Sequence, residues 1–185
     1  MNLKEEKINS SLHYNGRIIK LFNDKIKLPD GNFAYREYVK HPGGVCVVPL
    51  TDKGEVMLVR QYRYVYGREI IEIPAGKRDA GDEDTLKGAK RELKEELGIE
   101  AENFVFLGEL YPTPGYTDEV LYMYAATGLT FGETSPDEDE FVEPVKIHID
   151  TLIDMIMSGE IRDAKTVAAV LKTKRLLDEN KIKYK

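Results

Sequence analysis

The chain of 185 residues has no tryptophan, a single cysteine and no long apolar run. Cys46 has no second thiol to pair with, which excludes an internal disulfide framework. The longest uncharged apolar stretch, Gly44 to Leu50, is far too short to cross a bilayer, so no membrane span is expected. Residues 1–12 carry Lys and Glu where a secretory leader would carry an apolar core, and the expected location is therefore cytoplasmic. Basic charge is also in short supply: 27 Lys and Arg stand against 33 Asp and Glu, a net charge of -6. That balance argues against nucleic acid as a partner, because such affinity comes mainly from Lys and Arg neutralising phosphates. What remains is an apolar fraction of 42 %, enough for a core, in a length that suits one ordinary domain with at most a small appendage.

The surplus of acid is local. Glu133, Asp137, Glu138, Asp139, Glu140 and Glu143 lie in one window without Lys or Arg, and removing these six leaves 27 acids, equal to the basic residues. On composition alone this is a solvated loop.

Extended segments are expected at 17–28 and 33–40, joined by the turn Pro29-Asp30-Gly31, in which Pro presets φ and Gly accepts a positive φ. Residues 44–50 and 55–60 flank Asp52-Lys53-Gly54 and read as a second hairpin, apolar enough for burial on both faces. A third extended segment, 69–73, ends at Pro74. From Glu83 to Leu97 the period becomes helical: Leu86, Ala89, Leu93 and Leu97 follow a 3-4-4 spacing, and Gly98 is placed to stop the helix. Strands are expected at 104–110, 120–126 and 145–149, and helices at 151–158 and 166–180. Mixed strands around a central helix, followed by terminal helices, define an α/β or α+β domain.

On the central helix, at about 100° per residue, Glu92, Glu95 and Glu96 share one arc beside the apolar stripe. A surface helix could use them in pairs with Lys87, Lys90, Arg91 and Lys94. Their position toward the helix C-terminus, where the macrodipole disfavours anions, weighs against that use, and Arg91 precedes them as if to restrain one. Unit charges about 4 Å apart repel by roughly 4 kcal/mol at an effective dielectric near 20, so three clustered carboxylates call for a cation. Ligands made only of oxygen select a hard ion, Mg²⁺ or Mn²⁺.

Gly76, Glu83 and Arg91-Glu92-Leu93-Lys94-Glu95-Glu96-Leu97-Gly98-Ile99 closely resemble the Nudix box, G-x5-E-x7-R-E-U-x-E-E-x-G-U with U aliphatic. The box spans about residues 76–99. Its second half fits at every fixed position; in the first half six residues instead of five separate Gly76 from Glu83, and Asp82 is an alternative to Glu83. The resemblance implies a Nudix α/β/α sandwich with a mixed sheet over 43–185. It also implies an N-terminal β-hairpin segment over 1–42 that makes dimer and substrate contacts, and hence a homodimer. The implied chemistry is divalent-metal-dependent hydrolysis of a nucleoside diphosphate linked to another moiety. Glu92 and Glu96 would be the principal metal ligands, with Glu95 direct or through water, and the carbonyl of Ala75 would reach the same ion.

Further segments resemble the ADP-ribose pyrophosphatase branch: Glu72-Ile73-Pro74-Ala75-Gly76, His41-Pro42-Gly43-Gly44-Val45, and Tyr111-Pro112-Thr113-Pro114-Gly115-Tyr116-Thr117-Asp118-Glu119. Pro114 lies sixteen residues past Gly98, the offset of a proline in that group; Pro-Gly also marks ordinary turns. The acidic window then resembles a glutamate-rich lid, with Glu138 as base toward water and Glu140 on a metal, or the reverse. Arg36, Arg63 and Glu119 match substrate contacts. Tyr35, Tyr38 and Tyr64 could stack on adenine or simply pack, and Asp163-Ala164-Lys165-Thr166 reads as a helix cap. The expected reaction is ADP-ribose and water to AMP and ribose 5-phosphate. The alternatives are an ADP-sugar or damaged nucleotide as substrate, or a non-catalytic sensor of ADP-ribose or RNA, which loss of box glutamates would mark.

Overall fold

The computed structural model describes residues 2–78, 84–135 and 141–184. The chain divides into two compact units, Met1–Gly43 with Tyr111–Val120, and Gly44–Leu110 with Leu121–Lys185.

The first unit is an antiparallel sheet of β1 (Glu6–Asn15), β2 (Lys20–Lys27) and β3 (Phe33–Lys40) in that order. Asp30 accepts from Asn32 N and Nδ2, and with Gly31 at φ 90° this closes the tight β2–β3 turn. Every residue of β1 is exposed, so no inward and outward alternation marks it as a strand. The segment 111–120 joins this sheet through Val39 N–H to Tyr116 O (2.7 Å) and Asp118 N–H to Val39 O (3.2 Å).

The second unit contains two sheets. One is β7 (Ala75–Lys77), β4 (Gly44–Pro49), β9 (Leu121–Phe131) and β8 (Ile99–Leu110), in which β4 and β9 run parallel and the other pairs antiparallel. The other is β10 (Val142–His148), β5 (Glu55–Arg63) and β6 (Arg68–Glu72), all antiparallel. The helices are α1 (Thr85–Leu97), α2 (Ile149–Met157) and α3 (Ala164–Asp178).

Period-two alternation along β4 and β9 sorts the core into two layers. Val45, Val47, Tyr124 and Ala126 pack with Ala89, Leu93 and Leu97 of α1. Cys46, Val48, Met123 and Ala125 face the other way, toward Leu152 of α2 and Ala169 and Val170 of α3. The mixed sheet thus has helices on both faces, the expected α/β/α arrangement. Burial pushes the Cys46 thiol up to about 12, which leaves it protonated and unreactive.

The expected second hairpin is corrected. A turn does join β4 to β5, with Thr51 N–H on Glu55 O (2.9 Å), but the two strands share only the bridge Leu50–Val56 and then enter different sheets. Both edges of β4 are already taken, by β7 and β9, so β5 finds its partners in β6 and β10.

Candidate active site

Helix α1 begins where Asp84 accepts from Leu86 N and Lys87 N, and it ends at Gly98, whose φ of 64° suits glycine. Its apolar stripe seats on β4 and β9, which carries the adjacent arc of glutamates inward: Glu92 is 7 % and Glu96 2 % exposed. Both meet the backbone of β7. Ala75 N–H donates to Glu96 Oε2 (3.1 Å). Glu92 lies over Gly76 so closely that a Cβ built there would sit 1.9 Å from its carboxylate carbon; only glycine leaves the space.

Arg91 holds this group together. Its Nη1 donates to Glu95 Oε2 (2.7 Å), and its Nη2 meets Glu92 Oε1 (2.8 Å) and donates to the carbonyl of Lys77 (3.2 Å). One guanidinium therefore faces two carboxylates, while the third, Glu96, rests on a backbone N–H. The three carboxylates are thus gathered at one end of α1, two of them on a single guanidinium and Glu92 and Glu96 largely buried. Among the described residues no three His, Cys, Asp or Glu side chains converge as a ready metal cluster. The donors themselves, carboxylates and backbone oxygen, are those of a hard divalent ion.

The acidic window is anchored on both sides. Ser135 N–H donates to the Glu95 carbonyl (3.0 Å), and Glu143, paired with Arg60 across β10 and β5, forms an ion pair with it (3.0 Å). Glu138 and Glu140, and Glu83 of the box, lie outside the described residues.

The remaining candidates are distributed as follows. Arg63, on β5, grips Glu72 of β6 bidentately, Nε to Oε1 at 2.7 Å and Nη2 to Oε2 at 2.8 Å. Burial alone would lower the Arg63 pKa; the hydrogen bond and charge of Glu72, then Asp163 and Glu96, outweigh it and raise it. In the first unit, Arg36 is held by Glu5 (Nε to Oε2, 3.1 Å). Glu119 sits 3.4 Å from His41 Nδ1, and exposed Pro114 opens a turn in which Tyr116 N–H reaches Thr113 O (3.3 Å). Tyr38 stacks on Phe22 (5.4 Å), whereas Tyr35 and Tyr64 are exposed.

Sequence reasoning missed the surroundings of Glu72, which is 1 % exposed. Lys165 Nζ donates to Glu72 Oε2 and to Asp163 Oδ2 (3.0 Å for the latter). Asp163 caps α3 through Thr166 N and Thr166 Oγ1, and Thr166 Oγ1 accepts from Ile73 N (3.0 Å). The cue available in sequence was a lysine in the first turn of a helix, where the macrodipole disfavours a cation.

The chain belongs to the NUDIX domain family, whose match covers residues 40–170. It is 37 % identical over 171 residues to an ADP-ribose pyrophosphatase of Bacillus subtilis (strain 168), covering 91 % of this chain and 92 % of that protein. It is 40 % identical over 169 residues to a methanol dehydrogenase activator of Bacillus methanolicus, covering 90 % and 91 %. Its fold matches the crystal structure of an ADP compounds hydrolase with a TM-score of 0.85 over 97 % of this chain and 98 % of that one, at 22 % identity.

Proposed function

We propose that this protein is a divalent-metal-dependent hydrolase that splits the diphosphate of ADP-ribose, with water, into AMP and ribose 5-phosphate. The observation that carries this reading is the trio Glu92, Glu95 and Glu96, set by α1 against the backbone of Ala75 and Gly76 and bridged by Arg91. The substrate follows the pyrophosphatase relative, similar along nearly the whole chain. Glu92 and Glu96 would hold Mg²⁺ or Mn²⁺ with the Ala75 carbonyl, aided by Glu95 and by Glu140 of the acidic window. A bound ion would offset the diphosphate charge, polarise the phosphorus and lower the pKa of water.

The chain's own residues have separable tasks. Arg91 orients Glu92 and Glu95. Glu138 accepts the proton of the attacking water, and the tether of Ser135 to Glu95 supports delivery of the acidic window to this end of α1. Arg36, Arg63, Glu119 and Pro114 bind the nucleotide and its ribose. Exposed Ile8, Leu12, Tyr14 and Leu21 on the N-terminal sheet support a homodimer, and a lone buried thiol suits a reducing cytoplasm. Purified protein with ADP-ribose and Mg²⁺ should release AMP, and a panel with ADP-sugars compares the rival substrates. The 40 % identity to the Bacillus methanolicus protein favours a second reading, activation of a methanol dehydrogenase; the rate of that enzyme with and without this protein tests it.

A further inference from the structure

Five residues on four elements anchor the short run from Glu72 to Ala75. The Glu72 carboxylate meets Arg63 of β5 and Lys165 of α3; Ile73 N–H meets Thr166 of α3; the Pro74 carbonyl accepts from Val47 N of β4 (3.0 Å); and Ala75 N–H meets Glu96 of α1. Of the ionic members, Glu72 and Lys165 are buried, Asp163 has 22 % of its side chain exposed, and Arg63 is the most exposed, at 41 %. Glu72 engages Nε and Nη2 of that guanidinium, which leaves Nη1 outside the pair, with donors that could meet an anion.

Stability is a poor explanation for such a network. Buried ion pairs are often matched or bettered by apolar residues of similar volume, and a lysine in the first turn of α3 opposes the helix dipole. We propose that Lys165 is a positioning residue for substrate binding: anchored by Asp163, it fixes Glu72, and Glu72 holds Arg63 with its outer edge presented to the anionic part of the substrate. This rests on the hydrolase reading above. Without the Lys165 charge, Glu72 keeps only Arg63 to neutralise it, and the guanidinium is drawn inward, away from substrate.

The test reads kcat and KM for AMP release by wild type, Lys165→Met, Lys165→Arg, Arg63→Lys and the double variant Arg63→Lys with Lys165→Met. Titration calorimetry with α,β-methylene ADP-ribose and Mg²⁺ gives affinity without turnover. Loss of one charge-assisted contact predicts a KM and Kd about tenfold higher in Lys165→Met, with kcat within about threefold. Lys165→Arg should recover most of that loss, and the double variant should be no worse than Arg63→Lys alone. Unchanged KM in folded Lys165→Met, or effects that multiply in the double variant, would overturn the proposal. If circular dichroism shows that Lys165→Met does not fold, Glu72→Gln takes its place with the same expected KM rise, and a wild-type KM there is equally fatal. If the wild-type protein leaves ADP-ribose intact, the substrate reading fails by itself, and the same ratios are read on the nucleotide it binds best.

Discussion

Gly76→Ala separates the chemistry of the site from its stability. A Cβ at this position would stand 1.9 Å from Cδ and Oε1 of Glu92 and 2.2 Å from Oε2, whereas ordinary contact begins at 3.4 Å. The carboxylate must therefore retreat by about 1.5 Å, breaking its 2.8 Å contact with Arg91. Because the obstacle is the end of a flexible side chain, the fold yields cheaply: an off-rotamer χ costs about 0.5–1.5 kcal/mol, or roughly 1–6 °C in Tm for a chain of this size. Catalysis is less forgiving, since a misplacement of about 1 Å can cost roughly 100-fold in rate. Gly76→Ala should thus lose at least about two orders of magnitude in kcat and need more Mg²⁺ for half-maximal rate. AMP release over a Mg²⁺ series, beside a thermal melt, reads both quantities. A folded variant with kcat within about threefold of wild type and an unaltered Mg²⁺ requirement would refute the placement of Glu92 at the metal.

Further outcomes follow from the same geometry. Glu96→Gln should cut turnover by orders of magnitude and abolish stabilisation by Mg²⁺, which in wild type reaches about 2.7 kcal/mol at 100 times Kd; an unchanged Mg²⁺ shift in the melt would exclude Glu96 as a ligand. Glu138→Gln should lower kcat far more than it raises KM; if Glu140→Gln does so instead, the two roles are exchanged. Burial works against ionised Asp163, yet the charge of Lys165 and the hydrogen bonds of Thr166 and Lys165 hold its carboxyl below the ordinary 3.8. Burial likewise works against charged Lys165, and the charges of Asp163 and Glu72 hold it above 10.5. The Asp163 contribution is therefore complete above about pH 3.8 and fades as pH falls through its lower folded value. The Lys165 contribution is complete below about pH 10.5 and fades as pH rises through its higher one. The difference in Tm between wild type and Asp163→Asn should be flat from about pH 5 to 10 and shrink below 3.8; a difference that grows with acid would contradict the sign.

What could be read from sequence was local and periodic. Helix α1 declares itself by the spacing of Leu86, Ala89, Leu93 and Leu97 and by Gly98, and the same periodicity places Glu92, Glu95 and Glu96 on one arc. Strand β4 is apolar along its whole length because it is buried on both faces, which is legible; that its neighbours are β7 and β9 instead of β5 is not, since pairing depends on chain far away. Strand β1, wholly exposed, offers no pattern at all. The partner of Arg63 was beyond reach for the same reason: Glu72 reads as part of a strand, and Lys165, 93 residues later, reads as part of a cap. Ion-pair networks among distant residues leave no periodic trace, and here one surrounds the run that leads into the candidate site.

The most direct measurement is AMP release from ADP-ribose by the purified protein with Mg²⁺, repeated with excess EDTA. Metal-dependent release of AMP and ribose 5-phosphate in equal amounts, abolished by the chelator and by Glu96→Gln, is the predicted result. Release that persists in EDTA, or no release from ADP-ribose beside rapid cleavage of another nucleoside diphosphate derivative, would contradict the assigned chemistry in the first case and the assigned substrate in the second.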